Sequence, residues 1–412
     1  MKLNSEPKKV LLLSYAFSPL QAAESYLSAK ALSNIDSYTI DVLTVEHEKL
    51  GMSIDNSLSE YTKNNFGRIY RTLSPFWINK KIFKLLRYVS FFPDRFRFFN
   101  RSIFKKFIDI NSQNYDIIIS WSQWHSIHLA ALEIKKKYPS ILWIAHFSDP
   151  WADNPFLSSI VGYKALQYFL ERRVIKYADA VNFTTHLTRM MVMKKYPKKW
   201  MNKTYVTQHS YDLSLYKDSC TNKTDNKFVI SYFGNFYGPR NPIDFLKALE
   251  NIYIGDNDIF NHIVFEFFGK WIGNESWNTD NISLPNGLVK VKSPVTYIGS
   301  LEKMKESDLL LILDVNFENS VFFPSKLVDY IGAKKPILAI TPKGSCANIV
   351  KEIGGIVCSP KTVKSIEAGI ILAINGLKLG SLHTEESDSI HQFSNSFISN
   401  RFKIMFDQLI QK

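Results

Sequence analysis

The chain has 412 residues, 45% of them apolar, and its 51 Lys and Arg against 38 Asp and Glu leave a formal net charge of +13. That length suits two or three domains with cores of their own. No apolar run approaches the roughly 20 residues of a membrane span, residues 10–17 are too short and too polar for a secretory signal, and Cys220, Cys346 and Cys358 lack metal-ligand spacing and a disulfide framework. A reducing, cytoplasmic setting is expected. The positive balance implies an anionic partner: a phosphorylated small molecule, an anionic membrane surface or nucleic acid.

In chain order, residues 8–16 (KKVLLLSYA) read as a buried strand, 22–32 as a helix and 38–45 as a second strand. A βαβ opening implies a parallel sheet with a right-handed crossover, and ligands then sit beyond the carboxyl ends of the strands. The first such loop, 17–24, includes Ser18 and is a candidate ligand contact. It has no glycine, so it is not a dinucleotide fingerprint.

Residues 76–107 hold nine Lys or Arg, one acid (Asp94) and eleven aromatics. Ile78, Ile82, Leu85 and Val89 share one helical face, as do Phe96, Phe99, Ile103 and Phe107. Two readings stand side by side: a basic helix with an aromatic face resting on an anionic membrane, or aromatic faces packed on the domain with the bases solvated.

Further strands are expected at 115–120, 141–146, 180–184 and 203–208, with helices at 123–138, 158–177 and 186–196. The loop at 147–155 follows a strand and contains Asp149, Trp151, Asp153 and Asn154. Residues 213–227 are polar and read as a connector. The alternation then restarts, with strands at 228–233, 263–268, 309–313, 337–340 and 355–358. Helices are expected at 242–251, 296–305, 346–352 and 363–374, and a helical tail at 388–410.

Residues 323–340 read as loop, short helix and buried strand. Pro324 is tolerated in a first helical turn. The helix start, with Ser325 and Lys326 beside it, is a ready place for phosphate. Asp329, about one turn deeper, could accept ribose hydroxyls. The plain alternative is an ordinary αβ unit with a solvated lysine.

Four stretches in order resemble the retaining nucleotide-sugar glycosyltransferases of the GT-B fold, in particular GT4-like bacterial enzymes that build surface polysaccharides. They are 143–155 (WIAHFSDPWADNP), 171–180 (ERRVIKYADA), 232–249 (YFGNFYGPRNP and FLKAL) and 307–340. The resemblance implies an α/β protein of two doubly wound Rossmann-like domains facing a central cleft. An acceptor-side domain would span 1–210, a linker 211–227, a nucleotide-sugar domain 228–385, and a helix at 386–412 would cross back to the first domain. Two departures mark a divergent branch. Ala22, Ala23, Glu24 and Ser25 replace a glycine-rich first loop, and Val321 stands where a sugar-contacting acid is usual.

By this resemblance Arg240, Ser325, Lys326 and Leu327 would hold the donor diphosphate, and Asp329 the ribose. Cations and helix-terminal amides would neutralise the leaving group, so no metal and no cofactor is expected. Asp149 would be the base or orienter, and His146 would hold the donor sugar or share the proton chemistry. Trp151, Asn154 and Ser18 would shape the acceptor side. Expected partners are a nucleotide sugar, a glycan or lipid-linked acceptor, and an anionic membrane surface through 76–107; no nucleic-acid motif is present. The runner-up readings are a nucleotide-sugar epimerase and a non-catalytic partner subunit of the same fold.

Overall fold

Buried apolar runs alternating with amphipathic helices fold here into two units, Met1–Ser210 with Asn395–Lys412, and Tyr211–Ser394. A computed structural model describes residues 7–73, 92–110, 114–155, 162–217, 227–272, 282–382 and 388–411.

The first unit is built on a parallel sheet of seven strands: β1 (Lys8–Ser14), β2 (Tyr38–Val45), β3 (Ile69–Thr72), β4 (Ile117–Trp121), β5 (Leu142–Phe147), β6 (Ala180–Phe183) and β7 (Thr204–Val206). Their order is β3-β2-β1-β4-β5-β6-β7. The helices are α1 (Ala23–Ala31), α2 (Ser59–Asn65), α3 (Asn100–Ile110), α4 (Ser126–Lys137), α5 (Tyr163–Tyr177) and α6 (His186–Met193). β1 is covered on both faces, as parallel strands require. Leu11 and Leu13 point into one core with Phe96, Phe99, Ile103 and Phe107. Val10 and Leu12 point into the other, with Ile398, Phe402 and Phe406.

The second unit has a six-stranded parallel sheet and a small two-stranded ribbon. Its strands are β8 (Phe228–Phe233), β9 (Phe236–Tyr237), β10 (Ile263–Phe268), β11 (Trp271–Ile272), β12 (Val289–Lys292), β13 (Leu309–Leu313), β14 (Ile337–Ile340) and β15 (Ile356–Cys358). The main order is β12-β10-β8-β13-β14-β15, and β9 pairs with β11. Helices α7 (Ile243–Gly255), α8 (Tyr297–Glu306), α9 (Ser325–Ala333), α10 (Ser345–Glu352), α11 (Val363–Lys378) and α12 (Asp388–His391) complete it. The chain then returns, and α13 (Asn395–Ile410) packs on the first unit, where Tyr38 donates to Asp407 at 2.6 Å and Asn395 donates to the Lys30 carbonyl.

Each sheet reverses its winding once, between β1 and β4 in the first unit and between β8 and β13 in the second. Such a switch point opens a crevice at the carboxyl ends of the two strands. Both candidate clusters described below lie at these ends.

Several elements differ from expectation. β3 and β12 are edge strands with no fully buried residue, so they lack the apolar run that marks the others. Of the basic aromatic segment, 76–91 lies outside the described residues, as do Ile78, Ile82, Leu85 and Val89 of its first face. On the described part, Phe96, Phe99, Ile103 and Phe107 are all fully buried, so these four side chains serve the core. The tail is two helices, α12 and α13, rather than one.

Candidate functional site

In the second unit the switch point gathers charge. β8 ends at Phe233, and Gly234 follows with φ at +137°, a backbone state that side chains rarely adopt. A Cβ there would sit 2.8 Å from Lys326 Nζ, so the glycine makes room for the lysine. A tight turn joins Tyr237 and Arg240 by reciprocal backbone bonds of 2.9 Å. It delivers the Arg240 guanidinium to Asp314, 3.3 Å away and just beyond β13. Asp314 is held in turn by the Val315 N–H at 2.8 Å and the Thr341 hydroxyl at 3.2 Å.

Lys326 rises from the first turn of α9, whose N-cap, Pro324, supplies no side-chain cap. Its ammonium lies 3.9 Å from the centroid of the Tyr232 ring, is closed off from solvent, and has no hydrogen-bond partner among the described residues. Arg240 Nε also lacks one. Burial pushes the Lys326 amine well below the usual lysine range, and the neighbouring Arg240 pushes it further. For Arg240 itself burial would lower the guanidinium, but Tyr237, Tyr232 and Asp314 outweigh that and hold it charged. Two buried bases thus share one carboxylate, and the cluster has unspent affinity for an anion.

Ser325 stands beside Lys326 and is partly exposed; the Leu327 side chain is fully buried, leaving only its backbone, whose N–H bonds to the Pro324 carbonyl at 2.9 Å. Asp329 is 7% exposed and accepts from the Tyr297 hydroxyl at 2.8 Å, while its carbonyl accepts from Tyr216 at 2.8 Å. Asp329 is therefore oriented by α8 rather than by the Lys326 cluster. Val321 is buried.

In the first unit His146 lies at the end of β5, 1% exposed, stacked on Trp121 with ring centroids 3.6 Å apart. Asn182 on β6 lies 2.8 Å from Nδ1. With the amide nitrogen as donor, the ring proton sits on Nε2, which has no partner among the described residues. Burial first, then His209, holds this imidazole well below its ordinary range, hence neutral.

Asp149 is partly exposed two residues past β5 and accepts from Gln123 Nε2 at 3.0 Å. Its loop is fastened from below. Trp151 is 1% exposed, stacks on His125 and donates to Gln167. The fully buried Glu171 accepts from the Ala152 N–H at 2.9 Å, from Lys195 at 2.7 Å and from Tyr196 at 2.6 Å. Asp153 is an ion-pair residue: burial would raise it, but Lys195 and Lys164 hold it below the usual carboxylate range. Asn154 is partly exposed at the loop's far end. Ser18 lines a cavity of about 300 Å³ with His47, Glu46, Glu48 and Arg71, whose guanidinium donates to the Ser18 carbonyl at 2.9 Å.

Three residues that the structure brings beside these candidates were not singled out from sequence: Asp314, Tyr232 and Glu24. Asp314 follows the apolar run of β13 directly, the same signal that singled out Asp149. Glu24 closes the first loop, and its carboxylate reaches Trp121 and Ser148 at 2.8 and 2.7 Å. Tyr232 lies inside a strand and carries no such signal.

No protein-family profile and no curated sequence matches the chain. Its fold does have solved counterparts. HepE from Anabaena, in complex with UDP, is similar with a TM-score of 0.67 at 15% identity, over 97% of this chain and 100% of that one. Sucrose-phosphate synthase from Thermosynechococcus elongatus is similar with a TM-score of 0.69 at 12% identity, over 98% and 100%. A UDP-N-acetylglucosamine 2-epimerase from Listeria monocytogenes gives 0.55 at 10% identity, over 96% and 94%. The chain has the GT-B fold.

Proposed function

We propose that this protein transfers a sugar, with retention, from a nucleotide-sugar donor to a glycan or lipid-linked glycan during cell-surface polysaccharide synthesis. The observation that carries the reading is the Lys326 ammonium, buried without a hydrogen-bond partner among the described residues and paired with Arg240 at a switch point. A diphosphate supplies the missing counter-charge. As the glycosidic bond to the leaving group breaks, charge grows on the β-phosphate, and two fixed cations plus the first amides of α9 stabilise it. No metal is called for in this scheme. Asp329 and Tyr297 then offer an acceptor and a hydroxyl to the ribose.

In the first unit, Asp149 takes the proton of the acceptor hydroxyl, and neutral His146 donates from Nε2 to a sugar oxygen. The polar cavity beside Ser18 suits part of a glycan acceptor. HepE's complex with UDP supports the choice of donor class. The exposed Arg101 and Lys105 on α3 lie opposite that helix's buried face and support docking at an anionic membrane. Among the described residues no helix is long and apolar enough to cross a membrane. Binding to anionic vesicles at low salt, lost at high salt, is the expected outcome, and failure to bind at low salt removes this part.

Thermal-shift screening with UDP-, GDP-, dTDP- and CMP-sugars tests the core claim. The right nucleotide at a hundredfold excess over its dissociation constant stabilises the fold by on the order of 3 kcal/mol. That shift disappears in Lys326→Met. The likeness to the epimerase favours a second reading, in which a nucleotide sugar is converted without an acceptor. Acceptor-dependent release decides between the two.

A further inference from the structure

The first loop carries a carboxylate with an unusual hydrogen-bond account. Glu24 Oε2 lies 2.8 Å from the Trp121 indole N–H and 2.7 Å from Ser148 Oγ. Ser148 Oγ also lies 2.6 Å from the carbonyl oxygen of Ser122. A serine hydroxyl has one proton, and a carbonyl oxygen has none to give. Ser148 therefore donates to Ser122, and the remaining short contact needs a proton on Glu24. The Trp121 N–H occupies a lone pair of the same oxygen, which a protonated carboxyl still offers.

The surroundings agree. Burial, and after it the charge of Asp149, raises the Glu24 carboxyl from 4.5 to about 8. Among the described residues Asp149 is the charged group acting on it; Trp121 and Ser148 are neutral, and so is His146, which stacks on Trp121. Glu24, in the first turn of α1, thus ties the end of β4 at Trp121 to the loop after β5 at Ser148.

We infer that Glu24 carries a proton at neutral pH, and that it acts as a positioning residue whose hydrogen bond to Ser148 keeps the Asp149 loop in place. The consequence for turnover rests on the function proposed above; the proton itself does not. When Glu24 loses its proton, its donation to Ser148 ends and its charge is added to the field of Asp149, so activity falls on the alkaline side.

The test uses the full chain and three forms: wild type, Glu24→Gln and Asp149→Asn. A group whose folded value lies above its unfolded one contributes stability that is complete below the unfolded value and is lost up to the folded value. Wild type should therefore lose melting temperature relative to E24Q between pH 4.5 and about 8. The amide cannot serve both Trp121 and Ser148 through one atom, so E24Q carries a constant offset and the readout is the slope with pH. The expected divergence is roughly 5–10 °C across the window. In D149N the wild-type fall moves to lower pH. Parallel curves for wild type and E24Q overturn the inference. Should E24Q fold poorly, infrared titration of the wild type decides: a carboxylic-acid band present at pH 7, vanishing near pH 8 and shifted in D149N, is expected, and its absence at pH 7 refutes the proton on Glu24. In turnover assays the alkaline fall is present in wild type and missing in E24Q. Absence of turnover with every nucleotide sugar would count against the proposed function and leave the melting result to stand or fall separately.

Discussion

Lys326 sits in a place that a free lysine would avoid. Its amine is desolvated, lies beside a second base, and rests on the face of the Tyr232 ring with no hydrogen-bond partner among the described residues. Because its folded value lies below the unfolded 10.5, the unfolded chain binds more protons, and stability rises with pH as the amine's penalty fades. Lys326→Met should therefore melt a few degrees higher than wild type near pH 7, with the gap closing toward pH 10. A diphosphate reverses the penalty by favouring the charged amine. Binding should draw in protons, seen in calorimetry as an apparent enthalpy that changes with the ionisation heat of the buffer. Gly234→Ala places a methyl against the amine and strains the backbone, at a cost of about 1–3 kcal/mol in denaturant unfolding. At this scale short motifs in the sequence offer Arg240, Lys326 and Asp149 as candidates. They miss Asp314 and Glu24 because their importance comes from what other strands bring beside them.

At the scale of elements, the Asp149 loop illustrates how a site is fastened. Its candidate residue, Asp149, is partly exposed, yet the loop's register is set by Glu171, 22 residues further on, inside α5 and fully buried. Glu171→Ala leaves Lys195 and Tyr196 facing an empty place and frees the Ala152 N–H. A loss of about 3–5 kcal/mol in urea unfolding is expected, as for other broken buried pairs. The segment 171–180 was conspicuous in the sequence, but only the fold explains its opening glutamate. Legibility followed burial. β8, β10 and β13 coincide with their apolar runs because strands covered on both faces must be apolar throughout. β3 and β12, half in water at sheet edges, carry Arg71, Lys290 and Lys292 and show no apolar run to mark them. In the aromatic segment Phe96, Phe99, Ile103 and Phe107 fill the core, as the core-packing alternative expected, while Phe92, Phe98 and Phe104 are half-buried.

For the whole molecule, two doubly wound units were visible as an alternation that stops near residue 210 and restarts at 228. The return of α13 was expected from resemblance alone, since a helical tail does not announce what it covers. Its side chains Ile398, Phe402, Met405, Phe406 and Leu409 lie at 3% exposure or less and complete one face of the first sheet. Phe402→Ala should cost roughly 3–5 kcal/mol, and truncation after Ser394 should leave the first unit insoluble. Denaturant titration and the soluble fraction on expression check the two outcomes.

That arrangement also sets an order of events at the ribosome. The second unit is continuous in sequence and can close as soon as it has emerged. The first unit, although synthesised earlier, lacks a whole wall until residues 395–410 follow some 184 residues of the second unit. At about 5–20 residues per second, it waits on the order of ten seconds or more with Val10, Leu12 and Trp121 uncovered. The part of the protein made first is the part finished last, and through that interval it depends on protection from its neighbours.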